Sequence, residues 1–132
     1  MGEKRSNHTV YTVNYHFVWC PKYRHPVLGV IEDSLESRVR EVCDEYNYEI
    51  LSLHISPDHV HLFLSAHPKH APSEIVRTVK SITAREMWQQ HEPLLQEYLW
   101  SGGFWGESYH VGTAGDVSTA RIEQYIERTE HI

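Results

Sequence analysis

Alternation of apolar and polar positions with a period of two marks several stretches of the chain as strands. Thr9-Val-Tyr-Thr-Val-Asn-Tyr-His-Phe-Val-Trp19 is β-branched and aromatic and predicts a first strand. Pro21-Lys-Tyr-Arg-His-Pro26 follows as a loop bounded by prolines. Leu35, Val39, Val42 and Tyr46 then recur at helical spacing, which predicts an amphipathic helix from about Ile31 to Tyr46 with acids on its outer face. Leu51, Leu53 and Ile55 alternate with Ser52 and His54, so 48–56 is a second strand. Pro57-Asp58 supplies the turn, and His59–Ala66 returns as a third strand in a hairpin. Pro72-Ser73-Glu74 opens a second helix, which Ile75, Val79, Ile82 and Met87 carry to about Gln90. Residues 91–106 are expected to be loop with an aromatic cluster of Tyr98, Trp100, Phe104 and Trp105. Glu107–Thr113 is a fourth strand, Gly112-Thr-Ala-Gly115 a flexible joint, and Asp116 or Ser118 caps a last helix to about Thr129.

The order β-α-β-β-α-β-α predicts an α+β fold: a ferredoxin-like (split βαβ) antiparallel sheet with helices on one face and a C-terminal helix beyond it. A length of 132 residues suits one domain over 1–132, and no repeat or long linker divides it. Seven Gly and six Pro are too few for a disordered or fibrous chain. No apolar run approaches the ~18 residues of a membrane span, and the first residues lead into no signal-peptide core. Cys20 and Cys43 stand alone, so neither a disulfide framework nor a cysteine metal knuckle is expected. These features point to a reduced cytoplasmic protein with no membrane partner.

A formal charge of -6 hides an uneven distribution. Residues 1–26 carry +3 and 59–90 carry +2, whereas 27–58 carry -6 and 91–132 carry -5. Such a balance argues against duplex binding driven mainly by counterion release, yet leaves room for a local basic face built from the first and third segments.

The candidate chemistry lies in His59-Val60-His61 at the start of the third strand. Alternation puts both imidazoles on one face, with Val60, Leu62 and Leu64 turned to the core. The pair fits two half-exposed sheet histidines or two ligands of one divalent cation, and a pair alone is an incomplete site. Imidazole and oxygen ligands suit Mn²⁺ better than Mg²⁺, although a phosphate can complete a shell for either. A cation held there would polarise a phosphoryl oxygen and would need a nucleophile. No nucleophile elbow or phosphate-binding Gly-rich loop is present, and Gly102-Gly-Phe-Trp-Gly106 has the wrong spacing for a dinucleotide turn. Among eight tyrosines Tyr125 stands out. Its place beside Ile122, Ile126 and Thr129 on one helical face fits a packed core residue as well as a nucleophile activated by a metal or cationic neighbour.

Four blocks taken together change the weight of these readings. Tyr15-His-Phe-Val-Trp-Cys-Pro-Lys-Tyr-Arg24, Ile55-Ser-Pro-Asp-His-Val-His-Leu62, Gly103-Phe-Trp-Gly-Glu-Ser-Tyr-His-Val-Gly112 and Ile122-Glu-Gln-Tyr-Ile126 resemble, in order, the single-tyrosine HUH transposases of the insertion-sequence-200/605 group. The resemblance spans about residues 9–129. It implies a homodimeric enzyme of the prokaryotic cytoplasm and nucleoid that binds hairpins in single-stranded DNA ends and cuts without any nucleotide cofactor. By the same resemblance His59 and His61 bind Mg²⁺ or Mn²⁺. Tyr125 attacks the scissile phosphate, giving a 5′-phosphotyrosine and a free 3′-OH, and a second 3′-OH reseals the strand by reversing the step. The 112–115 joint would then let the last helix serve its own or the partner's site.

One position departs from the family. Gln usually lies four residues after the tyrosine as a third metal ligand, and this chain has Thr129 there. Water, Glu130 or DNA phosphate would have to complete the shell. The departure keeps open a decayed relative that binds hairpins without cutting. A domesticated repeat-processing tyrosine transposase and a small metal-dependent hydrolase of another substrate are further alternatives. Lys22, Tyr23 and Arg24 in the proline-bounded loop are candidates for phosphate contact or base stacking, against a merely solvated loop. Arg77, Lys80 and Arg85 are candidates for a hairpin-binding helix face, against a solvated one. Trp100, Phe104 and Trp105 fit base stacking or core.

Overall fold

The computed structural model describes residues 12–99 and 103–113. β1 is Val13–Trp19, a β-branched and aromatic run whose last three residues are buried. After two single 3₁₀ turns at Lys22–Arg24 and Leu28–Val30 comes α1, Glu32–Glu45. Leu35, Val39 and Val42 form its buried stripe as their spacing predicts, but Cys43 takes the place expected of Tyr46. The helix stops one residue sooner than its apolar spacing suggests. Asn47 adopts a left-handed φ of 62°, its N–H bonds the Asp44 carbonyl, and the Tyr48 N–H returns 2.8 Å to the Cys43 carbonyl. That pairing satisfies the last carbonyls of the helix and turns Tyr46 outward, 43 % exposed.

β2 (Glu49–Ser56) and β3 (His59–Ala66) form the expected hairpin, with an irregularity in register between Ile50 and Ser52. α2 runs from Pro72 to Leu99, nine residues beyond its expected end. His91 breaks the helical geometry at φ -130°, ψ 29°, and the chain resumes through Pro93 to bury Leu95 and Leu99. In the first turn after a kink the missing N–H of Pro93 costs nothing, so the stretch expected as loop is partly helix. β4 is His110–Thr113, three residues shorter at its start than expected.

The sheet order is β2-β3-β1-β4, with every neighbouring pair antiparallel. This is the α+β, split-βαβ arrangement expected from the element order. Phe17 and Trp19 of β1, with Val60, Leu62 and Leu64 of β3, pack with the buried faces of α1 and α2 into one cluster. Arg38 bonds Glu41 on its own helix and Glu86 across on α2. Among the described residues no helix is long and apolar enough to cross a membrane. The last helix expected at 116–129 lies outside the described residues.

Candidate functional site

With Val60, Leu62 and Leu64 of β3 committed to the helices, His59 and His61 project from the opposite face, which carries no helix among the described residues. His59 and His61 stand there with ring centroids 4.8 Å apart. The register aligns His61 with His54 of β2 and with Val18 of β1, and aligns Val18 with His110 of β4, so three histidines occupy one cross-strand row. His16 comes from the next row, and its Nε2 lies 3.4 Å from His61 Nδ1 with the two rings stacked. Burial first, and then the surrounding His59, His16 and His54, hold the pKa of His61 down to about 4. It is therefore neutral at pH 7, the form in which imidazole binds a metal. Burial, and then His110, lower the pKa of His16 as well.

Asp58 fixes the other imidazole. Its Oδ1 lies 2.8 Å from His59 Nδ1, while its Oδ2 accepts from Arg24 Nε at 2.8 Å. A carboxylate offers only acceptors, so His59 donates from Nδ1, and in the neutral ring this leaves Nε2 as the acceptor. Burial alone would raise the Asp58 pKa, but the hydrogen bonds from His59 and Arg24 outweigh it and hold the carboxyl below its usual range. Arg24 reaches this position through a tight turn in which Tyr23 (φ 57°) and Arg24 itself (φ 56°) are both left-handed. The Lys22 N–H bonds the Phe104 carbonyl and the Arg24 N–H the Pro21 carbonyl, while the Leu28 N–H ties the following segment to the Pro57 carbonyl.

The donor set fits a divalent cation in part. Two neutral-capable imidazoles on one face, one with its tautomer fixed by a carboxylate, are suitable ligands. Among the described residues no three His, Cys, Asp or Glu side chains are placed to hold a metal by themselves, so the remaining positions fall to other groups. Tyr125, Thr129 and Glu130 lie outside the described residues.

The candidate DNA contacts divide. Tyr23 is 54 % exposed, and the Lys22 amine sits 5.6 Å from its ring. Arg24, in contrast, is turned onto Asp58. Arg77 and Arg85 are exposed on α2. Lys80 differs from the solvated or phosphate-binding residue expected: its Nζ donates to the Gly106 carbonyl at 2.8 Å and lies 5.9 Å from the Tyr109 ring centroid. Burial lowers its pKa to about 8. With Arg77, Val76, Ala84, Trp105 and Tyr109 it lines a largely apolar cavity of about 470 Å³. All three α2 residues belong to the helix layer, across the sheet from His59 and His61. Phe104 and Trp105 are core, the latter donating from Nε1 to Thr83 Oγ1 at 3.1 Å; Trp100 lies outside the described residues. His16, His54, His110 and the Asp58 carboxylate were not singled out from sequence. The available signals were Asp58 standing next to His59, and His16 alternating with buried Phe17.

Comparison with known proteins gives this geometry a context. The sequence model described as "Transposase IS200 like" matches residues 9–129. The chain belongs to the IS200-like transposase family. It is 39% identical over 125 residues to the ISDra2 transposase TnpA of Deinococcus radiodurans, covering 94% of this chain and 89% of that one. The IS200 transposase of Salmonella typhimurium is 32% identical over 128 residues, covering 96% and 83%. The crystal structure of a Deinococcus radiodurans R1 transposase superposes with a TM-score of 0.85 at 36% identity, over 96% of this chain and 97% of that one. A REP-associated tyrosine transposase solved with a REP hairpin shares the fold at a TM-score of 0.54 and 14% identity, over 96% and 74%. DNA cleavage and strand transfer are the activities that membership of a transposase family implies.

Proposed function

We propose that this transposase acts as a homodimer on hairpin-bearing single-stranded DNA ends, cutting and rejoining strands through a 5′-phosphotyrosine on Tyr125, with His59 and His61 holding Mg²⁺ or Mn²⁺. The observation that carries the reading is the pair of imidazoles side by side on the sheet face opposite α1 and α2, one of them oriented by Asp58. The Ile122-Glu-Gln-Tyr-Ile126 block within the family match supports Tyr125 as nucleophile. A relative in fold solved with a REP hairpin supports a hairpin as the recognised element.

A divalent cation bound there would draw electron density from a phosphoryl oxygen of the scissile phosphate. Tyr125 Oη attacks the phosphorus, the P–O3′ bond breaks, and the phenol proton passes to the departing 3′ oxygen. The new ester keeps the phosphodiester's energy, so a second 3′-OH reseals the strand by the reverse exchange. The neutral His61 imidazole needs no proton removed before it binds the ion, and Asp58 holds the His59 ring in place beside it.

Incubation of the full chain with a hairpin-bearing single-stranded oligonucleotide and Mn²⁺ should give an SDS-resistant protein–DNA adduct and a free 3′-OH. Tyr125→Phe should lose the adduct and retain the hairpin gel shift; an adduct formed by this variant would overturn the assignment. Thr129 favours one second reading, a relative that binds the hairpin without cutting. That reading predicts a gel shift with no cleavage in either metal, and some cleavage restored by Thr129→Gln.

A further inference from the structure

On the reading that His59 is a metal ligand, we propose that Arg24 is a positioning residue: it holds Asp58 so that the carboxylate fixes His59 in the tautomer presenting Nε2. Three observations converge. The Asp58 carboxylate is divided, with Oδ2 on Arg24 Nε and Oδ1 on His59 Nδ1, both at 2.8 Å. The side chains of Arg24 and Asp58 are only 23% and 24% exposed, so the pair is partly withdrawn from solvent and its geometry is not that of a free surface ion pair. The backbone that delivers Arg24 is held in an unfavourable shape. Two successive non-glycine residues, Tyr23 and Arg24, sit at left-handed φ, a geometry of the kind that persists only where its surroundings impose it.

The two imidazoles are thereby unequal. His59 is tied to a charged acceptor, whereas among the described residues His61 Nδ1 meets the ring of His16 at 3.4 Å. One ligand's tautomer is set by a carboxylate, and the other's is shared with a second imidazole that can donate or accept. Arg24 thus contributes to the cation site from 35 residues away in sequence, and its Nε is committed to protein rather than to a phosphate.

The test uses the full-length protein and Mn²⁺ alone. Asp58→Asn leaves one carbonyl oxygen where two acceptors are needed, so it should weaken Mn²⁺ binding by roughly 10- to 100-fold, the range seen when partners of metal-bound histidines are removed. Arg24→Met should weaken it in the same direction by less, and Arg24→Lys should recover part of the loss. In the metal-free protein, ¹⁵N–¹H correlations of the imidazoles should show His59 protonated at Nδ1, with the Nε2–H tautomer rising in Asp58→Asn and Arg24→Met. Unchanged tautomer and Mn²⁺ affinity in Arg24→Met overturn the positioning role alone. A lowered melting temperature without a tautomer change would make Arg24 merely structural, and lowered hairpin affinity in EDTA without one would make it a phosphate contact; either overturns the role too. If His59→Ala leaves Mn²⁺ affinity unchanged, the metal reading itself fails, and the positioning role with it.

Discussion

The two faces of the sheet are made by the same strands and serve opposite ends. On the covered face Phe17, Trp19, Val60, Leu62 and Leu64 are fully buried against the helices. On the face opposite α1 and α2 the alternating residues include His16, His54, His59 and His61, half-buried or exposed, with the first three each in ring contact with His61. A one-residue step along β3 separates a residue whose value is its apolar volume from one whose value is a nitrogen lone pair. The difference teaches that stability and chemistry can be perturbed separately here, strand position by strand position.

The largest effect on stability should come from the covered face. Leu62→Ala, which empties a fully buried site, should cost about 2–5 kcal/mol in urea unfolding, while an alanine at its neighbour His61 should cost far less. Equal losses would erase the distinction between the faces. Next comes the buried hydrogen bond behind the covered face. Thr83→Val strands the Trp105 indole N–H, and an unsatisfied buried donor should cost about 1–3 kcal/mol in the same assay.

Lys80 sharpens the contrast through pH. Its folded pKa of about 8 lies below the ordinary 10.5, so both states are protonated below pH 8. Between those values the unfolded chain holds a proton that the folded one has released, and stability should rise with pH across that window. Lys80→Met should flatten the rise; an unchanged slope would show that another group titrates there. The smallest effect belongs to Arg40 and Glu36, an exposed pair four residues apart on α1. Arg40→Ala should change stability by no more than about 0.5 kcal/mol.

The sequence made one face of the sheet legible and left most of the other hidden. Alternation in β3 was enough to separate Val60 and Leu62 from His59 and His61, because a single strand carries that information. The neighbours of His61 depend on register between strands, which no local pattern encodes: His54 and His16 meet it only because β2 and β1 pair as they do. Arg24 had the composition of a phosphate contact, but the left-handed turn that aims it at Asp58 is imposed by contacts to Phe104 and Pro21, distant or unpredictable from local sequence. Lys80 reads from sequence as a DNA contact or a solvated residue on a helix surface, and the return of 106–109 across that surface supplies the carbonyls that draw it in. Residues 91–99 fall in the expected loop, whereas tertiary burial of Leu95 and Leu99 sustains a new helical segment beyond the kink.

The most direct measurement is the Mn²⁺-dependent cleavage rate of the double variant His59→Ala, His61→Ala on a hairpin-bearing single strand, with folding checked by urea unfolding. Loss of the bound cation's charge stabilisation should lower the rate by at least on the order of 100-fold, with stability changed far less than by Leu62→Ala. A folded double variant that still cleaves at the parent rate in Mn²⁺ would contradict the account.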